Sequence, residues 1–119
     1  MDSLWIRAAR ADTHAMRTSS LPAWASVRER LKKEQVNPYD AAISHLADDG
    51  QTQLAGILVT RSGKIIDFSI MWGFNPRTQR QHAPDEGWVF HWRELKPEEI
   101  GKIFGEAADT AKAILAEDG

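Results

Sequence analysis

The chain has 119 residues, 42% of them hydrophobic, which indicates one globular domain over residues 1–119 with a single core. Its formal net charge of −2 does not favour nucleic-acid binding, for which a basic domain is expected. The absence of cysteine excludes disulfides, thiolate metal sites and cysteine nucleophiles. No apolar run has the length of a membrane helix and the first residues lack a signal-peptide core, so we expect a cytoplasmic protein.

The N-terminal arm, residues 1–19, carries the least regular pattern. Alanines and Leu4 recur near one face of a weak helix over residues 3–16, with Trp5 beside them. The alternatives are a further edge strand over residues 3–9 or a mobile arm.

Two further helices are predicted before the first strand. Ser20 supplies a cap and Pro22 lies in the first turn of a helix that runs to Gln35. Asn37 and Pro38 repeat this arrangement and predict a short helix over residues 38–47, stopped by Gly50.

The central hairpin is predicted from two apolar runs joined by Ser62-Gly63, which reads as a two-residue turn. This turn places Val59 opposite Ile66 and Ile57 opposite Phe68. One face, the predicted core face, then carries Ala55, Ile57, Val59, Ile66, Phe68, Ile70 and Trp72.

A third strand and a last helix complete the predicted fold. Residues 88–95 alternate between aromatic side chains, which include Phe90 and Trp92, and His91 or Arg93 on the opposite side. The long amphipathic helix that follows Pro97 is expected to pack on the core face and its aromatics. We therefore predict an α+β fold: a small antiparallel sheet of three or four strands, N-terminal helices and a C-terminal helix packed on the sheet.

Four polar side chains, Asp67, Ser69, His91 and Arg93, are expected to share the sheet face opposite these aromatics. An acid, a hydroxyl and an imidazole are the ingredients of a small hydrolase or isomerase, with Asp67, Ser69 and His91 as catalytic candidates. Ser69 has no G-x-S-x-G nucleophile turn around it. The simpler alternative is a cross-strand ion pair between Asp67 and Arg93.

No metal or other cofactor is predicted. The four histidines are scattered, without the helical spacing that brings two ligands to one ion. In the loop, His82 with Asp85 or Glu86 is the weak exception. The glycines are dispersed, and no phosphate-binding loop motif occurs.

Residues 73–87, GFNPRTQRQHAPDEG, form a loop whose length is typical of a functional segment. Arginine beside tryptophan is the composition of a protein interface and also of a single-strand nucleic-acid platform. The candidate partner-binding residues are Trp72, Phe74, Arg77, Arg80, His82, Asp85 and Arg93.

By size and architecture the chain resembles small cytosolic bacterial α+β proteins that bind one protein, among them toxin-neutralising immunity proteins and antitoxins. The leading hypothesis is a partner-binding protein, monomer or homodimer, that occludes its partner through the 73–87 loop. A small enzyme is the alternative, and nucleic-acid binding through the loop arginines is the third.

Overall fold

A computed structural model describes residues 4–48, 53–71, 74–75, 80–81 and 89–118. In chain order the elements are α1 (Leu4–Thr18), α2 (Pro22–Lys33), a 3₁₀ turn (Pro38–Asp40), β1 (Ala41–Asp48), β2 (Gln53–Thr60), β3 (Ile65–Met71), β4 (Phe74–Asn75), β5 (Arg80–Gln81), β6 (Val89–Glu94), a second 3₁₀ turn (Pro97–Glu99) and α3 (Lys102–Asp118). One antiparallel sheet has the strand order β1-β2-β3-β6, and β4 pairs with β5 separately. The predicted α+β fold is confirmed. Among the helices in these ranges, none combines the length and apolar content needed to cross a membrane.

The N-terminal arm is helical rather than an edge strand. α1 contacts α2, β1 and α3, and the Trp5 side chain lies outside the described ones. α2 has Pro22 in its first turn, as predicted. The Ser20 cap was wrong, because Leu21 occupies the N-cap position and the Ser19 hydroxyl accepts its N–H at 3.1 Å.

The helix predicted over residues 38–47 was wrong. Asn37 does cap the turn, since its side chain accepts the Tyr39 N–H at 2.8 Å, but the helical geometry ends at Asp40. The next four side chains, Ala41 to Ser44, are all buried. Burial on every side of consecutive residues suits a strand covered on both faces, and β1 accordingly pairs with β2. Gly50, the predicted stop, lies outside the described residues.

The hairpin turn has three residues instead of two. Arg61, Ser62 and Gly63 form the turn, and the Thr60 N–H bonds to the Lys64 carbonyl at 3.0 Å. A two-residue type I′ turn needs positive φ at both central positions, which serine disfavours. Here only Gly63 has a positive φ, +100°. Val59 therefore faces Ile65, and not Ile66 as predicted.

This one-residue shift corrects the predicted core face. Leu58, Ile66 and Phe68 lie on one side of the sheet and pack with α2, together with Phe90 and Trp92. The other side is built by a separate apolar cluster from β1, β2 and α3, made of Ala42, Ile57, Val59, Ala107, Ala108, Ala111, Ile114 and Leu115, with Ala9 and Leu95. α3 packs on the sheet as predicted, but the aromatics face α2.

Candidate functional site

The four polar candidates do come together on one sheet face, as predicted. The β3–β6 register pairs Asp67 with Arg93 and Ser69 with His91. His91 and Arg93 are about half exposed, and α3 packs mainly on the β1–β2 half of this face. The β3–β6 half of the sheet therefore presents polar groups to solvent.

The ion pairs on this face differ from the prediction. Arg93 binds Glu99, in the 3₁₀ turn after β6, instead of its cross-strand neighbour Asp67. Asp67 lies 3.8 Å from His91, measured from Oδ2 to Nε2. Glu99 also accepts the Lys96 N–H at 3.0 Å. The Lys96 N–H and the Arg93 guanidinium together hold the pKa of Glu99 below its ordinary value of 4.5.

The lowered pKa of Glu99 predicts an acid-sensitive contribution to stability. A carboxyl whose pKa is lower in the folded than in the unfolded state stabilises the fold above the unfolded pKa. This contribution is lost as the pH falls through the lowered value. We expect Glu99→Gln to be less stable than the wild type at neutral pH and the difference to vanish towards acid. Urea unfolding across pH measures it, with the exposed neighbour Glu98→Gln as control; a constant difference would contradict the assignment.

The geometry does not assemble a nucleophilic triad. Ser69 lies in a regular strand, paired with Ala55 and His91, and not on a strained turn. Among the described residues, no hydrogen bond joins the Ser69 hydroxyl to His91. The separation of 3.8 Å between His91 and Asp67 exceeds the ~2.6–3.2 Å expected of a catalytic pair. The hydrolase hypothesis gains no support from these contacts.

Most of the predicted loop surface lies outside the described residues, including Trp72, Arg77, His82 and Asp85. Only the backbones of Phe74 and Arg80 are described, in the short β4–β5 ribbon, where Phe74 pairs with Gln81. The proposed His82 metal pair is also outside. Across the described ranges, no three histidine, aspartate or glutamate side chains come together as metal ligands.

The loop nevertheless has a defined origin in the sheet. It leaves the end of β3 and returns at the start of β6, where Met71 and Val89 are paired. β6 is an edge strand of the sheet. Residues 73–87 therefore connect the adjacent ends of the interior strand β3 and the edge strand β6.

The opposite edge, β1, is closed by side chains of α1. The Thr13 hydroxyl accepts the Ile43 N–H at 3.0 Å and donates to the Ile43 carbonyl at 3.3 Å. Arg17 donates to the Ala41 carbonyl at 3.1 Å. These contacts occupy backbone groups that a further strand would need.

Among the described residues, none closes the β6 edge. Leu95 donates its N–H to the Ile65 carbonyl at 2.8 Å, which sets the alternation of the ladder. The backbones of His91 and Arg93 then face β3, while those of Phe90, Trp92 and Glu94 face outward. Within the described part of the chain, these outward groups accept or donate no hydrogen bond. β6 thus presents an unpaired strand edge.

A groove of about 420 Å³ runs beside this edge on the α2 side of the sheet. Its lining is Pro22, Ala25, Ser26, Glu29, Arg30, Lys33 and Phe90. The Arg30 guanidinium lies 5.7 Å from the centre of the Trp92 ring and also pairs with Glu34 at 3.1 Å. Charges of both signs line the groove, which does not favour a polyanion such as nucleic acid.

Sequence reasoning missed this groove. The run RERLKKE on α2 carries charges of both signs, a composition typical of a solvated helix face. Arg30 is adjacent to Leu31 and three residues after Val27, both fully buried on α2. Arg30 thus lies at the border of the apolar stripe of α2. This position could have indicated that its side chain contacts an aromatic residue of the sheet.

Known proteins provide no guide to the role of this surface. Comparison with models of protein families, with curated proteins and with solved structures finds no significant match. Function is therefore inferred from the geometry of the chain itself.

Proposed function

We propose that the protein binds one partner protein through the 73–87 loop and the adjoining β6 side of the sheet. The observation that carries this proposal is the contrast between the two sheet edges. β1 is closed by Thr13 and Arg17, whereas the outward backbone groups of β6 have no hydrogen-bond partner in the part of the chain that the structure describes. Proteins generally protect their strand edges, so an open edge beside a long loop is a natural site for association.

The polar face and the groove supply further support. His91 and Arg93 are half exposed on one side of β6, and the groove bordered by Phe90 lies on the other. Such a mixture of aromatic and arginine side chains is typical of protein interfaces. The partner is held by apolar contacts from the groove and by charged contacts from the loop.

The mechanism is occlusion of a site on the partner. Arg77, Arg80 and His82 pair with acidic groups of the partner, and Trp72 or Phe74 anchors the contact. Immunity proteins and antitoxins, which the chain resembles in size and architecture, act in this way.

Charge reversal in the loop tests the proposal. We expect Arg77→Glu with Arg80→Glu to weaken capture of a stoichiometric partner from the native host by at least about tenfold, because like charges then oppose each other. The melting temperature should remain near that of the wild type. The matched control, Arg7→Glu with Lys112→Glu, makes the same charge change at exposed helical positions. No stoichiometric partner for the wild type, or undiminished capture by the loop variant, would contradict the proposal.

A further inference from the structure

We propose that the partner contributes an extended strand of alternating apolar and acidic residues, which pairs antiparallel with β6. This inference rests on the proposed function and adds the mode of binding and the chemistry of the bound segment. An extended segment is the occupant that satisfies a row of outward N–H and C=O groups, and strand addition is a recurrent mode of peptide recognition. The sheet is antiparallel at every pairing, which gives the added strand its direction.

The apolar residues of the bound strand are inferred from the side of β6 that faces α2. Residues directly opposite Phe90 and Trp92 project to the same side of the sheet as these rings. They reach the groove that Pro22, Ala25 and Phe90 line with apolar atoms. Apolar side chains at alternate positions of the bound strand therefore pack against β6 aromatics and α2.

The acidic half follows from the opposite side. Residues opposite His91 and Arg93 occupy the positions of an antiparallel ladder where facing side chains approach most closely. Asp67 contacts His91 and Glu99 contacts Arg93 from within the chain, yet the His91 and Arg93 side chains remain about half exposed. Carboxylates on the added strand would contact His91 and Arg93 from the solvent-exposed side. Opposite charges that face each other directly across two strands stabilise the pairing.

A second copy of the chain fits this edge poorly. Among the described side chains, those that β6 carries on the polar side are His91 and Arg93. In a two-fold pairing centred on Trp92, Arg93 faces His91 of the copy, and in one centred on His91 the two imidazoles face each other. Neither of these two registers offers an acid to either side chain, whereas a different chain can supply the complementary charge.

Backbone pairing is tested with a short capped peptide that alternates valine and glutamate, added to the ¹⁵N-labelled full chain. We expect the amides of Phe90, Trp92 and Glu94 to exchange at least about tenfold more slowly with the peptide bound. The Ile43 amide, already bonded to Thr13, is the internal control. Absence of binding, or binding without this protection, would overturn the inference. Slow exchange that instead develops with chain concentration alone would reveal self-pairing and also overturn it.

Matched probes test the direction and the charge. In the antiparallel arrangement the valine amides face β6, so N-methylation of the valines should abolish binding while N-methylation of the glutamates should not. Equal effects, or a larger effect of the glutamate set, would overturn the inference.

A valine–lysine peptide should bind at least about tenfold more weakly, and His91→Glu with Arg93→Glu should reverse this preference. Indifference to the charge of the probe would contradict the acidic pattern.

The two proposals fail separately. If a stoichiometric partner is captured from the host but the β6 amides do not respond to the valine–glutamate peptide, the strand-addition proposal is contradicted. The partner-binding proposal then still stands. Protection of β6 by the peptide without any captured partner removes the proposed function and leaves a strand-binding edge.

Discussion

Phe68→Ala should lower the free energy of unfolding by about 3–5 kcal/mol, the range for removing a buried aromatic side chain. Phe68 is fully buried on the α2 side of the sheet. Its ring lies 6.4 Å from the ring of Trp92 and over Gly56, where a β-carbon would come within 3.2 Å of it. Because the ring packs directly against the Gly56 backbone, which has no side chain to move into the space, truncation should leave a cavity. Urea denaturation with an unchanged m-value measures the loss.

A double-mutant cycle tests which face Phe68 occupies. Phe68→Leu and Trp92→Leu should be coupled by at least about 0.5 kcal/mol, because the two rings are neighbours. Phe68→Leu and Ile114→Val should add within about 0.5 kcal/mol, because Ile114 of α3 belongs to the cluster on the other face. Coupling to Ile114 in place of Trp92 would return Phe68 to the face first predicted from the two-residue turn.

Thr13→Val should cost about 3 kcal/mol although valine has nearly the shape of threonine. The Thr13 hydroxyl bonds to both the N–H and the carbonyl of Ile43 and is almost completely buried. Valine leaves two buried backbone groups without partners, and each such group costs about 1–3 kcal/mol. Equilibrium unfolding measures the loss, and faster exchange of the Ile43 amide locates it.

Thr13→Ser is the matched control for this substitution. Serine keeps the hydroxyl and removes one methyl group, so the expected loss is only about 1 kcal/mol. A serine variant as unstable as the valine variant would show that packing, not hydrogen bonding, closes the β1 edge. Equal stability of valine and wild type would show that the Ile43 groups find other partners.

The fold class was predictable because helix and strand periodicities are local properties of the chain. The grouping of Asp67 and Ser69 with His91 and Arg93 also came out correctly, since it depends on alternation within each strand and on aromatics packing with Phe68. The ion pairs of these side chains were not predicted correctly, because Glu99 reaches Arg93 from a turn outside the sheet.

The register between β2 and β3 could not be predicted from the pattern of apolar residues. β2 has apolar residues that suit either face, so its pairing with β3 was decided by the turn, in which Gly63 alone adopts a positive φ. The strand after Asp40 was missed for a related reason: four consecutive buried residues fit either a buried helix or a strand covered on both faces.

Whether each edge strand of the sheet is covered could not be predicted from the sequence. Closure of β1 depends on Thr13, a residue 30 positions before its partner Ile43. The exposure of the β6 edge among the described residues depends on the position of β6 at the end of the strand order. Such properties emerge only when the order of the strands and the path of α1 are known.

Amide exchange in the free chain tests the open β6 edge most directly. Along β6 we expect alternation: slow exchange at His91, Arg93 and Leu95, which bond to β3, and fast exchange at Phe90, Trp92 and Glu94, which face outward. At the closed edge, Ile43 should exchange slowly in the wild type and rapidly in Thr13→Val. Uniformly slow exchange along β6 would show that its edge is already covered, and would contradict its role as the docking edge.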